Sequence, residues 1–499
     1  TGGFKLLYKN PIIKGFYPDP SVCKANDKYY LVTSTFQYFP GVPIFESHDL
    51  VNWVQVGNCL TRANQVELDN VESSGGIFAP TIRFHNRRFY MTTTNSTTHK
   101  HFIVWTDDIK KEWSDPIFIE QDGIDPSLLF ENDKVYFTSN GIDDFGNSGV
   151  IQSEIDIKTG KKLTPSKCIW KGSGGRYLES PHLYHINDYY YLVVAEGGTE
   201  YGHMVTYARA KSPFGPFENY PLNPVLTNRN LGGFEIQGVG HGDLIQAPDG
   251  NWYLIHLGFR QIGQWATFHH LGRETFMTPV FFDNYGWFVA GNNGTTEHRF
   301  NIVDFLEKEE KKLYTFNNTD FNLEWLYIRH PKTDFYSIKK DSVVLKGSNI
   351  SLDIPNSPTF IGIRQIDFNV EISCNVEITG GEAGITIYMD ENHHFDLALR
   401  QEKHGIEAIG KLNIGTVKHI YKTIPLTTNH AKLIIKADNN CYNLYINDIC
   451  DENHLGYGQN KYLSSEVAGG FTGVLIGLFA YDKDENSRAI FTNFSCKYE

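Results

Sequence analysis

One local pattern recurs five times along the chain: a turn rich in Asn, Asp or Gly, an aromatic pair, then an alternating apolar run. The copies are Asp27-Lys28-Tyr29-Tyr30-Leu31, Arg87-Arg88-Phe89-Tyr90-Met91, Asp133-Lys134-Val135-Tyr136-Phe137, Asp188-Tyr189-Tyr190-Tyr191-Leu192 and Gly250-Asn251-Trp252-Tyr253-Leu254. The tyrosines Tyr30, Tyr90, Tyr136, Tyr191 and Tyr253 lie 60, 46, 55 and 62 residues apart. Pro20, Pro80, Pro126 and Pro181 each stand ten residues before their tyrosine, and Gly242 stands eleven before Tyr253. Proline is tolerated at the first residue of a strand, where no ladder donor is missed. Each repeat therefore reads as a strand opened by proline or glycine, a hairpin turn and an aromatic strand. About four strands of five or six residues fit within each interval, which is one propeller blade. The aromatic fraction of 14% and the 45 glycines suit strands and tight turns better than long helices. The expected fold is all-β: a five-bladed β-propeller over residues 1–304, a connector over 305–315, and a second domain over 316–499.

If the opening strand is innermost in each blade, its first residues face one central funnel. Those residues are Asp19, Phe78 with Ala79, Asp125, Glu179 with Ser180, and His241. A single Asp before Pro is an ordinary turn or capping residue. Three acids at equivalent positions of separate repeats, joined by an aromatic ring and a histidine, point instead to chemistry. Glycoside hydrolysis needs this set: one carboxylic acid protonates the leaving oxygen, another deprotonates water, and an aromatic face packs the sugar.

Several longer segments resemble glycoside hydrolase family 43, most closely its two-domain β-xylosidase and α-L-arabinofuranosidase branch. They are Gly15-Phe16-Tyr17-Pro18-Asp19-Pro20-Ser21, Gly75-Gly76-Ile77-Phe78-Ala79-Pro80, Gly123-Ile124-Asp125-Pro126-Ser127, Pro181-His182-Leu183-Tyr184, Ala195-Glu196-Gly197-Gly198-Thr199 and Leu271-Gly272-Arg273-Glu274-Thr275. The resemblance implies an inverting mechanism with Asp19 as general base, Glu179 as general acid, and Asp125 raising and positioning the acid. It implies substrate contacts from Phe36, Phe78, Thr199, His241 and Arg273. An inverting pair stands about 6.5–9.5 Å apart, with room for water between. Where the family usually has Glu-Gly-Pro, this chain has Glu179-Ser180-Pro181. His241 could partner Asp125 or a cation on the propeller axis. No cofactor is required by the chemistry, and a structural calcium near His241 is left open because several relatives carry one. Arg273 beside Glu274 could also form a surface ion pair.

Beyond Gly291 the repeat stops. Phe305–Lys312 is a charged connector, and segments such as Gly384–Met389 and Ala431–Lys436 alternate as strands of an antiparallel β-sandwich. Trp325–Pro331 resembles the segment that opens the concanavalin-like sandwich of these enzymes. Gly470-Phe471-Thr472-Gly473 resembles a loop that reaches over the funnel and sets Phe471 at its mouth. A funnel closed in this way admits one sugar and implies exo-action, releasing xylose or arabinose from hemicellulose oligosaccharides. The alternatives are an endo-acting arabinan or xylan hydrolase and a propeller that binds sugar without cleaving it.

A net charge of −13 argues against nucleic acid as partner, and no apolar run of 18 residues argues for a membrane span. The expected partner is a pentose-containing oligosaccharide, with self-association left open. The seven cysteines show no paired spacing and read as mostly buried thiols, Cys441 and Cys450 being the pair best spaced to bridge. His269-His270 and His393-His394 lack i,i+4 spacing and read as core or solvated histidines. Thr1–Lys5 shows no signal-peptide pattern, which favours the cytoplasm, while the missing initiator Met keeps secretion open.

Overall fold

The computed structural model describes residues 6–317 and 323–499. Thr1–Lys5, read above for a leader, lie outside the described residues. Among the described residues, α-helix is confined to Ser465–Ala468, and everything else regular is strand or short 3-10 turn.

Each repeat forms a four-stranded antiparallel sheet. The opening strands Ser21–Ala25, Thr81–His85, Ser127–Glu131, Glu179–Ile186 and Ile236–Gln246 pair with the aromatic strands Lys28–Val32, Arg88–Asn95, Lys134–Ile142, Tyr189–Glu196 and Trp252–Arg260. All five reference tyrosines are buried. The strands open after the proline in three sheets, as expected. In the fourth and fifth they begin earlier, at Glu179 and Ile236, and the pairing register shifts between Glu179 and His182 and again around Gly240. Such bulges bend the strand and re-aim the side chains beside them.

The opening strands link sheet to sheet in a closed ring. Ile82 N donates to Ser21 Oγ (3.0 Å), Thr81 Oγ1 to the Pro126 carbonyl (2.8 Å) and Ser127 Oγ to the Pro181 carbonyl (2.6 Å). Asp243 closes the circuit. Its carboxylate accepts from Ser21 Oγ (2.7 Å), Val22 N (3.0 Å), both terminal nitrogens of Arg83 (2.9 and 3.0 Å) and the Tyr184 hydroxyl. Burial opposes ionisation of Asp243, but Arg83, His182 and the Tyr184 hydroxyl outweigh it and hold the carboxyl well below the usual range.

Removing one partner of a buried ion pair strands the other charge. Asp243→Asn is therefore expected to cost about 3–5 kcal/mol, read as a fall in the urea midpoint at pH 7. Because the folded pKa is depressed, this stabilisation is present above about pH 4 and fades as pH falls through the folded value. The gap between wild type and variant should shrink in acid.

The second unit is a two-sheet sandwich. The smaller sheet orders Thr359–Arg364, Leu475–Tyr481, Glu382–Asp390, His393–Glu402, Gly405–Ile414 and Val417–Leu426. It packs on a larger sheet built around Val370–Ile378, His430–Ala437 and Arg488–Tyr498 through fully buried Ile372, Leu433, Ile435, Ile385, Leu397 and Leu478. The first strand of that sheet, Leu313–Thr315, pairs with Lys497–Ser495 and so lies inside the stretch read as connector. His394 is a core histidine held between Asp396 (2.8 Å) and Asp353 (2.9 Å). All seven cysteines are free, Cys441 and Cys450 included.

The two units interlock. Tyr327–Ile328 pairs with Tyr38–Phe39 as a short two-stranded sheet. Buried Arg329 donates through Nε to the Val71 carbonyl (2.8 Å) and through Nη1 to the Asn356 carbonyl (2.8 Å). The strand pair and the Val71 bond tie the sandwich to the first unit, while the Asn356 bond holds Arg329 within the sandwich.

Candidate active site

Asp19, Phe36, Phe78, Asp125, Glu179, Thr199, His241, Arg273 and Phe471 line one cavity of about 470 Å³. Ala79 lines it as well, whereas Ser180, read beside Glu179, does not. The local backbone explains their aim. Asp19, Asp125, Ser180 and His241 occupy equivalent positions before a proline or glycine, with φ of 55°, 56°, 52° and 53°. Non-glycine residues seldom adopt this left-handed region, and where they do they concentrate at functional sites.

Asp19 is buried and surrounded by donors. Arg273 Nη1 donates to its Oδ1 (3.1 Å), Ser34 Oγ to its Oδ2 (2.6 Å), and His241 Nδ1 lies 3.3 Å from Oδ1. Burial works against the charge, but Arg273, His241 and Ser34 together prevail and lower the carboxyl's pKa. Asp19 is thus an ionised carboxylate at neutral pH. Glu179 is the opposite case. Burial and the charge of Asp19 raise it to about 7, only partly offset by Arg273. Asp125 is also raised well above the usual range by burial and by the Glu179 and Asp19 charges, although Ser180 N donates to its Oδ2 at 2.9 Å. Asp125 and Glu179 repel one another, so they titrate as a pair that retains protons near neutrality.

The rest of the wall is aromatic. Phe36 stacks between Phe16 (6.1 Å) and Phe471 (5.9 Å), and Phe78 tilts against it at 5.7 Å. Arg273 also donates to Thr199 Oγ1 (3.2 Å) and to the Phe471 carbonyl (3.1 Å), so one guanidinium joins Asp19 to the sandwich loop. Phe471 N in turn donates to Ser74 Oγ (2.8 Å), fixing the loop at both ends of this residue.

Three details depart from the sequence reading. His241, read as a partner of Asp125 or of a cation, faces Asp19, its Nδ1 3.3 Å from Oδ1. Arg273 does not pair with Glu274, which is buried and bound by Arg260 through Oε1 (2.7 Å) and Oε2 (2.8 Å). His203 was not anticipated. It lines the cavity, its Nδ1 is 3.1 Å from the Gly238 carbonyl, and burial lowers its pKa to about 3. The only sequence trace of it is Gly240, where a Cβ would come within 2.4 Å of the His203 ring.

A calcium ion near His241 would have to draw most of its oxygen ligands from water. Such an ion takes six to eight oxygen ligands. Here the nearby carboxylates are Asp19, already held by Arg273 and Ser34, and Asp243, already held by Arg83. Among the described residues no cluster of three His, Cys, Asp or Glu is placed to hold a metal.

The family model described as glycosyl hydrolases family 43 matches residues 8–288. The chain belongs to glycosyl hydrolase family 43. The model described as the beta-xylosidase C-terminal concanavalin A-like domain matches residues 314–497. A non-reducing end α-L-arabinofuranosidase of Bacteroides ovatus is 38% identical over 95% of this chain and 91% of its own length. A xylosidase/arabinosidase of Butyrivibrio fibrisolvens is 35% identical over 97% of both. Among solved structures, a xylan β-1,4-xylosidase from Bacillus halodurans superposes with a TM-score of 0.90 at 30% identity, covering 98% of this chain and 100% of that one. A family 43 protein of Bacteroides ovatus, described by its xyloglucan utilisation locus, superposes with a TM-score of 0.91 at 34% identity over 99% of this chain and 100% of that one. This family 43 chain is thus an all-β glycoside hydrolase, with a propeller-type unit and a concanavalin A-like sandwich.

Proposed function

We propose that this enzyme is an exo-acting, inverting pentosidase. It removes xylose or arabinose from non-reducing ends or side chains of hemicellulose oligosaccharides. A five-bladed propeller ending near residue 304 carries the acids, and the sandwich that begins with the Leu313–Thr315 strand lids them. The carrying observation is the split between buried carboxyls in one lidded cavity: Asp19 held charged, Glu179 and Asp125 held protonated. Titratable groups pushed apart by their surroundings mark base and acid.

Asp19 accepts a proton from water as the water oxygen attacks the anomeric carbon. The bond from that carbon to the leaving oxygen breaks, and the Glu179 proton passes to that oxygen. Burial and the Asp19 charge keep Glu179 protonated, and Asp125 fixes the Glu179–Pro181 bulge by accepting from Ser180 N. His241 and Arg273 orient Asp19. Phe36, Phe78 and Phe471 pack the faces of a single sugar, and Thr199 and Arg273 meet its hydroxyls. No step calls on a metal or cofactor.

The relatives named as arabinofuranosidase and xylosidase/arabinosidase favour a pentose in this cavity. The lid favours exo-action over an endo-enzyme, which needs an open groove. The test combines p-nitrophenyl β-D-xyloside and α-L-arabinofuranoside with product analysis on xylo- and arabino-oligosaccharides. The expected result is turnover of at least one aryl pentoside, with free monosaccharide as the first product. Internal fragments released ahead of monosaccharide would overturn the exo reading.

A further inference from the structure

Arg176, Tyr177 and Glu200 line the same cavity, outside the residues given roles above. Tyr177 stands two residues before Glu179 and is 62% exposed, with φ of 52°. An aromatic ring that is both exposed and held in the left-handed region demands an explanation.

The surrounding loop is built to hold it. Buried Glu196 accepts from Ser173 N (3.1 Å), Ser173 Oγ (2.6 Å) and Gly175 N (3.0 Å), tying down the chain just before Arg176. Gly197 N donates to the Arg176 carbonyl (2.7 Å), and Arg176 Nε donates back to the Gly197 carbonyl (2.9 Å). The Arg176 guanidinium bonds Glu200 (2.8 Å) and lies 5.3 Å from the Tyr177 ring centroid. The ring edge rests on Gly198, where a Cβ would come within 3.1 Å of Cδ2. Tyr177 is therefore pinned, yet most of its surface packs against nothing in the protein.

Its place in the site says what would cover it. The proton of Glu179 goes to the leaving oxygen, so the group beyond that oxygen emerges on the Glu179 side of the cavity. We propose that Tyr177, pinned by Arg176 and Gly198, is the stacking platform for the first sugar of the leaving group, a neutral pyranose of the glycan main chain. This rests on the pentosidase reading of the site. A pyranose offers a flat face of C–H groups that matches a phenol ring. Neutrality follows from the rim, where Arg176 and Glu200 already cancel each other.

The experiment compares two leaving alcohols that need the same protonation, one with a ring and one without. For the pentose that the wild type prefers, kcat/KM is measured on the methyl pentoside and on the same pentose linked to xylose or xylobiose. The ratio of the second to the first should fall about tenfold in Tyr177→Ala and be kept in Tyr177→Phe, as expected for the loss of one aromatic stacking contact. An unchanged ratio, or an equal loss on both substrates, overturns the platform and leaves the pentosidase reading standing. A wild type inactive on every pentoside overturns both.

Discussion

Glu179→Gln lowers kcat/KM on xylobiose, or on the matching arabinoside, by about 10²–10⁴-fold, the usual worth of a positioned general acid. On a dinitrophenyl pentoside the same variant loses far less, because that leaving group departs without a proton. The wild type's kcat/KM falls as pH rises through about 7, where Glu179 loses its proton. On the dinitrophenyl substrate this alkaline limb disappears in the Gln variant, which has no acid to titrate. Equal losses on both leaving groups would remove Glu179 from the acid's role.

Asp19→Asn gives a loss of similar size, about 10²–10⁴-fold, but with no dependence on the leaving group. Every substrate still needs an activated water. The variant also leaves Arg273 buried without its carboxylate partner, since the remaining contacts at Thr199 and the Phe471 carbonyl are neutral. Far-UV circular dichroism and the unfolding midpoint therefore have to accompany the kinetics. A variant that keeps its fold and still cleaves at near wild-type rate would contradict the base assignment.

The repeat was legible because it is written in local chemistry: proline or glycine at a strand's start, and a tyrosine on the next strand at nearly fixed distance. That spacing, with the family motifs, brought Asp19, Asp125 and Glu179 into one cavity before any coordinates. What escaped depends on partners remote in sequence. Asp243 directly follows the glycine that opens the fifth repeat, but its five contacts come from three other repeats, so nothing nearby marks it as the hub of the ring. His241 was left open between Asp125 and a cation, and its contact with Asp19 joins the fifth repeat to the first, which no local pattern shows. The bond from Phe471 N to Ser74 Oγ spans 397 residues and joins two units, beyond the reach of any periodicity. Glu274 read as a possible partner of its neighbour Arg273, yet Arg260, fourteen residues earlier on the paired strand, claims it.

In the proposed mechanism a charged Asp19 delivers water from one side while a protonated Glu179 releases the leaving oxygen on the other. Proton NMR of the first-formed sugar during hydrolysis of a β-xyloside or an α-L-arabinofuranoside, before mutarotation, tests it most directly. The anomer opposite to the substrate's, α-xylose or β-arabinose, should accumulate first. First appearance of the retained anomer would mean a covalent intermediate, and would contradict that mechanism.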